Sequence, residues 1–119
     1  MMLFLEGQFL VSFDFDDTLF MRPEGNPIWA NIELLFNESK AGQRIIVVTA
    51  RDSSESPWVE TLLSQFALPV EKVYYTSNQL KGPLLKELGV QIHYDDSGHQ
   101  LQSAIEHGIK AIDSRISGI

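Results

Sequence analysis

The chain has 119 residues, 44% hydrophobic and 21% charged, which is typical of a folded globular protein rather than a disordered or fibrous one. Its formal net charge of -7 argues against non-specific attraction to nucleic acid or to an anionic membrane. The absence of cysteine excludes disulfides and thiolate metal sites, and it is compatible with a reducing compartment.

The length predicts a single domain over residues 1–119. No apolar run approaches the roughly 20 residues that are needed to cross a bilayer. The first residues also lack the basic segment of a secretory signal. We therefore expect a cytoplasmic protein with no membrane partner.

Apolar runs alternate with helical patterns at intervals of roughly thirty residues, which predicts βαβ units. The predicted strands are residues 9–13, 44–48, 72–75, 91–94 and 111–112. The predicted helices are one with Asn26 as N-cap and Pro27 at its first position, ended by Gly42; one opened by Ser56 and Pro57; one from Pro83 to Leu88; and one ended by Gly108. This order predicts a three-layer, Rossmann-like α/β domain, in which about five mostly parallel strands carry helices on both faces.

Acidic residues follow two of the predicted strands, at the sheet edge where ligands bind in such domains. Asp14, Asp16 and Asp17 come directly after the first strand, and Asp95 and Asp96 follow the fourth. One acid would be enough for a turn, and neighbouring carboxylates repel one another unless a cation or a shared proton relieves them. We interpret these groups as a cation site rather than as solvated turns.

A hydroxyl and two basic residues could bind a phosphate at the same edge. Thr49, Ala50 and Arg51 follow the second strand, and a hydroxyl with backbone N–H groups suits a phosphoryl oxygen. Lys81, at the start of a helix, could bring an ammonium to the same phosphate, and Lys86 is the alternative one turn further along.

Taken in this order, these groups resemble the motifs of the haloacid dehalogenase (HAD) superfamily of phosphatases. Residues 14–18 fit the first motif, Asp-x-Asp-x-Thr. Thr49 is similar to the second motif, Lys81 to the third, and the pair Asp95 and Asp96 to the fourth. The resemblance covers nearly the whole chain and implies a HAD-like fold and a magnesium-dependent phosphatase.

The resemblance also implies roles for individual residues. Asp14 would be the nucleophile that forms an acyl phosphate, and Asp16 the general acid and base. Mg²⁺ would be held by the Asp14 carboxylate, the Asp16 main-chain carbonyl and one acid of the fourth motif. Asp96 is favoured as that ligand, which leaves Asp95 to orient Lys81 or a water. We further expect that crowding against Asp14 and Asp95 keeps Asp16 protonated.

The substrate is less well defined by the sequence than the chemistry. The intervals after the first two motifs are too short for a cap domain, so an open site suited to a nucleotide, a nucleic-acid end or another large phosphorylated substrate is predicted. Arg51 is spaced from Thr49 as in the phosphatase domains of phage-type polynucleotide kinases, which also place basic residues near Arg22. Both arginines could bind a second phosphate or a polynucleotide end, and pairing with the surrounding acids is an equally good interpretation. His99 is close enough to the acid pair to touch a substrate, whereas His93, inside a strand, is predicted to pack.

Two other classes of protein remain as alternatives. A phosphoryl-accepting receiver domain would carry its lysine on a final strand, whereas Lys81 here precedes the last acid pair. A non-catalytic HAD-fold binding module is disfavoured because every catalytic position is filled. Neither a Gly-x-x-x-x-Gly-Lys-Ser/Thr loop nor a His-Glu-x-x-His motif is present, which removes support for a P-loop kinase or a zinc protease. The substrate and the oligomeric state are left open.

Overall fold

A computed structural model describes residues 8–117, with side chains described as far as residue 115. The strands in this part of the chain are β1 (Leu10–Phe13), β2 (Phe20–Met21), β3 (Asn26–Pro27), β4 (Arg44–Thr49), β5 (Val73–Tyr75), β6 (Ile92–Asp95) and β7 (Lys110–Asp113). The helices are α1 (Trp29–Lys40), α2 (Ser56–Gln65), α3 (Gly82–Leu88), α4 (Gly98–Glu106) and α5 (Ser114–Ser117). A short 3-10 helix, Ser53–Glu55, precedes α2.

The main sheet has five strands in the order β5-β4-β1-β6-β7, and every neighbouring pair is parallel. The predicted α/β class and its five parallel strands are thus confirmed. Strand β1 is central, and the chain moves outward from it first through β4 and later through β6. Such a reversal of strand order opens a crevice at the carboxyl ends of the central strands, where ligands bind.

The sheet separates two hydrophobic cores because successive side chains of a strand point to opposite faces. The larger core packs Val11, Phe13 and Tyr94 against α1 and α2, and the rings of Phe13 and Tyr94 stack at 4.6 Å. The smaller core packs Ile46 and Val48 against α3 and α4. Helices therefore cover both faces, and none in the described part of the chain is long and apolar enough to cross a membrane.

The prediction for the start of the first helix was wrong. Asn26 and Pro27 form β3, paired antiparallel with β2, and α1 begins at Trp29 with Ile28 as its N-cap. The backbone N–H of Ile28 donates to Leu19 O at 2.9 Å, which ties this hairpin to the loop after β1. Proline is equally compatible with the first position of a helix and with an edge strand, because neither position needs a hydrogen bond from the backbone N–H that proline lacks. Among the described residues, this hairpin and α1 fill the interval between β1 and β4, with no cap domain.

Candidate active site

The candidate site lies at the carboxyl ends of β1 and β6, which are neighbours in the sheet. The two-residue period of a strand places Asp14 on the same face as Ser12, and Asp95 on the same face as His93. Ser12 and His93 are register partners across the two strands. The two acids are thereby brought together on the α3–α4 side of the sheet.

Asp14 is 6% exposed, and each of its carboxylate oxygens has a partner. Oδ1 accepts from Lys81 Nζ at 2.7 Å, and Oδ2 accepts from the Thr18 hydroxyl at 3.2 Å. Burial raises the pKa of Asp14 well above its ordinary value, against the opposing charge of Lys81. Because burial disfavours the ionised form of Asp14, any further positive charge placed beside it would stabilise that form.

Asp95 is fully buried and accepts three hydrogen bonds. Its Oδ2 accepts from Lys81 Nζ and from His93 Nε2, both at 2.8 Å, and its Oδ1 accepts from the Ser97 N–H at 3.0 Å. Burial acts to raise the pKa of Asp95, but the hydrogen bond from His93 and the charge of Lys81 outweigh it and lower that pKa to about 2. Asp95 is therefore ionised at neutral pH.

Lys81 bridges Asp14 and Asp95 with a side chain that is 1% exposed. Burial acts to lower its pKa, but the two carboxylates outweigh burial and raise it, so the ammonium stays charged. Lys81 immediately precedes α3, whereas the alternative, Lys86, is exposed near the other end of that helix. Of the two lysines considered, Lys81 is the one that contacts the acids.

The backbone at Gly82 sets the position of Lys81. A Cβ at Gly82 would lie 2.4 Å from the Ser103 carbonyl oxygen and 2.4 Å from His107 Nδ1. The Gly82 N–H also donates to Ser103 Oγ at 3.0 Å. Helix α3 can thus begin directly against α4 only because residue 82 has no side chain.

Three carboxylates could share a cation at this edge. Asp14, Asp95 and Asp96 each offer an oxygen, and these oxygens all lie within 4.8 Å of one another. Oxygen ligands with net negative charge are those that a hard divalent cation such as Mg²⁺ prefers. The donor set therefore fits the implied ion.

Asp16 lies in a different environment from the one predicted. Its two oxygens accept from Arg51 Nε at 2.8 Å and Arg51 Nη2 at 2.9 Å, a bidentate ion pair, and Arg51 Nη1 also donates to Glu55. The sequence-based expectation was that Asp14 and Asp95 would crowd Asp16 toward protonation. The structure instead pairs Asp16 with a guanidinium through two charge-assisted hydrogen bonds.

Thr49 and the residues after it form a loop that is hydrogen-bonded on one side to the loop after β5. Thr49 is fully buried, and its Oγ1 accepts the Arg51 N–H at 3.2 Å. The carbonyls of Thr49 and Ala50 accept from the N–H groups of Thr76 and Asn78, at 2.9 Å and 2.7 Å. In a trans peptide the carbonyl and the N–H point in opposite directions. Because the Thr49 carbonyl points toward the loop after β5, the N–H of Ala50 points away from that loop.

The two residues proposed for substrate contact are both exposed. Arg22 donates to a single oxygen of Asp17, Oδ2, from Nε at 3.0 Å and from Nη2 at 2.7 Å. His99 lies in the first turn of α4, two residues after the helix N-cap Ser97. Both therefore lie outside the buried network that joins Asp14, Lys81 and Asp95.

Sequence reasoning missed two hydrogen-bonded pairs behind the acids. Thr18 Oγ1 lies 3.1 Å from Ser114 Oγ, which links the first motif to the end of β7. His93, predicted to pack, is fully buried but also hydrogen-bonded, with Nδ1 2.6 Å from Ser12 Oγ. The available signal was a polar residue two positions before an acid in two apolar strands, Ser12 before Asp14 and His93 before Asp95.

No protein-family model matches the sequence, and a search of curated proteins finds no significant match. Solved structures do match. A chain of the Pnkp1/Rnl/Hen1 RNA repair complex aligns over 90% of this chain, with a TM-score of 0.70 and 15% identity. This chain spans 42% of that chain, less than half its length.

Two further structures align over most of the chain. The cobalt-bound deoxy-D-mannose-octulosonate 8-phosphate phosphatase from Haemophilus influenzae aligns over 91% of this chain and 70% of its own, with a TM-score of 0.55 and 19% identity. An uncharacterized protein from Corynebacterium glutamicum aligns over 89% of this chain and 84% of its own, with a TM-score of 0.54 and 18% identity. The fold is thus a Rossmann-like α/β sandwich. More particularly, it is the HAD-like form of that fold, without a cap among the residues described.

Proposed function

We propose that this protein is a Mg²⁺-dependent phosphomonoesterase that acts through an aspartyl phosphate at Asp14. The observation that carries the proposal is the position of Asp14 at the end of the central strand, where Lys81 and Thr18 hold its two oxygens beside Asp95 and Asp96. A buried cluster of acids around one lysine has no evident structural purpose, since apolar residues would fill the same space at lower cost.

Mg²⁺ would be held by the Asp14 carboxylate, the Asp16 main-chain carbonyl and Asp96, while Asp95 orients Lys81. The 2.8 Å contact between Asp95 and Lys81 supports this division of roles. When bound, the cation supplies positive charge that neutralises the acids and the phosphoryl oxygens. The cobalt-bound form of the Haemophilus phosphatase supports a cation at a site of this fold.

Asp14 would attack the phosphorus, form an acyl phosphate and release the alcohol, after which water would take up the phosphoryl group, release inorganic phosphate and regenerate the carboxylate. The Thr49 hydroxyl, the N–H of Ala50 and the ammonium of Lys81 would bind the phosphoryl oxygens as charge develops on them. Asp14 is already held by donors on both oxygens, so it needs little reorganisation before attack.

Asp16 would protonate the leaving oxygen and later activate water, which requires that Arg51 release it. An entering phosphate carries more negative charge than a carboxylate and offers the guanidinium the same bidentate geometry. Transfer of Arg51 from Asp16 to the phosphate would free the Asp16 carboxyl to face the leaving oxygen. Arg51 would then bind substrate and release the catalytic acid in one movement.

The open edge suits a phosphate carried by a large molecule, and we propose a nucleotide or a nucleic-acid end, with Arg22 and His99 contacting the remainder of the substrate. The similarity to a chain of an RNA repair complex supports this class of substrate. A cytoplasmic location, compatible with the lack of cysteine, belongs to the same proposal.

The experiment is hydrolysis of p-nitrophenyl phosphate with and without Mg²⁺, beside nucleotides and oligonucleotides that carry a 3′- or 5′-phosphate. We expect Mg²⁺-dependent turnover that Asp14→Asn abolishes. Asp16→Asn should also lose turnover but keep cation binding. Glu71→Gln, which removes an exposed carboxylate paired with Arg44 at the amino edge of the sheet, is the matched control and should leave turnover unchanged.

Turnover of oligonucleotides in preference to p-nitrophenyl phosphate would support the nucleic-acid end as substrate. Substantial activity in Asp14→Asn would refute the aspartyl phosphate. A complete lack of turnover on every substrate would favour a binding or signalling role for the fold.

A further inference from the structure

A buried polar chain runs from the middle of the sheet to the candidate site. Ser12 and His93 are both 0% exposed and face each other across β1 and β6. Ser12 Oγ lies 2.6 Å from His93 Nδ1, and His93 Nε2 lies 2.8 Å from Asp95 Oδ2. Two apolar side chains would fill this space without burying a hydroxyl and an imidazole. The pair therefore calls for an explanation beyond packing.

Asp95, at the end of this series of hydrogen bonds, determines which atom donates in each of them. Asp95 Oδ2 already accepts from the Lys81 ammonium, and as an acceptor it takes its second hydrogen bond from a proton on His93 Nε2. A neutral ring then has a free lone pair on Nδ1, which accepts from the Ser12 hydroxyl. The hydroxyl of Ser12 thereby fixes the tautomer that donates to Asp95.

This arrangement fixes the orientation of the Asp95 carboxylate. Its Oδ2 receives His93 on one side and Lys81 on the other, while its Oδ1 is held by the Ser97 N–H. A carboxylate held by three donors cannot turn. Lys81, whose ammonium contacts this fixed oxygen, is therefore held at its 2.7 Å contact with Asp14.

We propose that Ser12 and His93 are positioning residues for phosphoryl transfer: through Asp95 they hold Lys81 against the nucleophile Asp14. The kinetic part rests on the proposed turnover and the cation affinity on the proposed metal site, whereas the arrangement of His93, Asp95 and Lys81 rests on neither. Removing outer residues that orient the partner of a metal ligand, as Lys81 is the partner of Asp14, typically changes metal affinity or activity by about 10–100-fold.

The experiment compares His93→Leu, His93→Gln and Ser12→Ala in the full chain. For each variant, kcat and KM on p-nitrophenyl phosphate and the Mg²⁺ affinity by calorimetry are measured. We expect His93→Leu to lower kcat and Mg²⁺ affinity by about 10–100-fold with little change in KM. His93→Gln should restore most of both, because its amide can donate to Asp95 and accept from Ser12. Ser12→Ala should fall between wild type and His93→Leu.

The matched control is Tyr94→Phe, in the same strand but on the other face. It removes the hydrogen bond from Tyr94 Oη to Glu38 at 2.7 Å and should leave kcat and Mg²⁺ affinity within about twofold of wild type. Chemical denaturation of every variant measures the folded fraction, to which activities are normalised.

Three results would overturn the proposal. The first is a normalised His93→Leu within twofold of wild type in both kcat and Mg²⁺ affinity. The second is His93→Gln no better than His93→Leu. The third is a ¹⁵N NMR spectrum that shows the Nδ1–H tautomer of His93 in the wild-type protein. A wild-type protein without turnover would instead refute the proposed function, since calorimetry and NMR judge His93 independently of turnover.

Discussion

At the scale of single residues, Lys81 is the side chain on which the acid cluster depends. Its buried ammonium contacts Asp14 at 2.7 Å and Asp95 at 2.8 Å. Removing one partner of a buried ion pair leaves an uncompensated charge, which costs more than the pair itself contributes to stability. The lysine is thus required by the fold as well as by the proposed chemistry.

We therefore expect Lys81→Met to lower the free energy of unfolding by about 3–5 kcal/mol in chelator-treated protein. Urea denaturation followed by circular dichroism measures this change. Lys86→Met, an exposed substitution in the same helix, should stay within about 0.5 kcal/mol of wild type. A loss below about 1 kcal/mol in Lys81→Met would contradict the ion network described here.

The sequence predicted which residue types gather at the sheet edge but not all of their pairings. Asp14 and Asp95 could be anticipated because charged groups directly after buried strands share one edge of a parallel sheet, and Lys81 because it stands at the start of a helix that follows the third predicted strand. Pairing of Arg51 with a nearby acid could be anticipated, but not that the acid would be Asp16, since the reach of Arg51 depends on a loop conformation that no local pattern encodes. The hydrogen bonds of His93 depend on strand register, which is set only when β1 and β6 pair.

At the scale of secondary structure, the junction of α3 and α4 places Lys81. The two helices meet at Gly82, whose N–H donates to Ser103 Oγ. Overpacking at such a contact commonly costs about 1–3 kcal/mol because backbone must move. Any shift of α3 would also move the lysine at its start.

Gly82→Ala should lower the free energy of unfolding by about 1–3 kcal/mol and reduce turnover beyond the loss of folded protein. The reason is the 2.4 Å approach of the new Cβ to the Ser103 carbonyl. Gly98→Ala is the control, because a Cβ at that helical glycine meets nothing within 4 Å. Thermal unfolding and p-nitrophenyl phosphate hydrolysis measure both effects, and equal behaviour of the two variants would contradict the prediction.

Elements with a single strong signal were predicted well from the sequence. Gly89 ends α3 with a φ of 79°, the left-handed conformation that its position after an apolar stripe indicated. The start of α1 was predicted wrongly, because Asn26 and Pro27 satisfy the local rules for a helix start yet pair with β2. Tertiary pairing decided between two local conformations of similar cost.

At the scale of the whole molecule, the acid cluster would couple folding to the proposed cation binding. The chain carries a net charge of -7, and three of its acids lie within reach of one ion. A cation that binds only the folded state stabilises it according to its concentration and affinity.

Mg²⁺ at a hundredfold excess over its dissociation constant should stabilise the protein by about 2.7 kcal/mol and raise Tm by roughly 10 °C. Differential scanning calorimetry with Mg²⁺, with chelator, and with NaCl at matched ionic strength measures this shift. Asp96→Asn should lose most of it. Identical Tm values in Mg²⁺ and chelator would show that the acids hold no such ion.

The pairing of β1 with β6 determines when, during synthesis, the residues at the candidate site can come together. Ser12 and His93 are 81 positions apart, and Lys81 and Asp14 are 67 positions apart. The first strand leaves the ribosome long before the strand and helix that complete the acid cluster at its carboxyl end. A nascent chain therefore carries Asp14 without its lysine or its acid partner, and the cluster is complete only once residues 81–96 have been made.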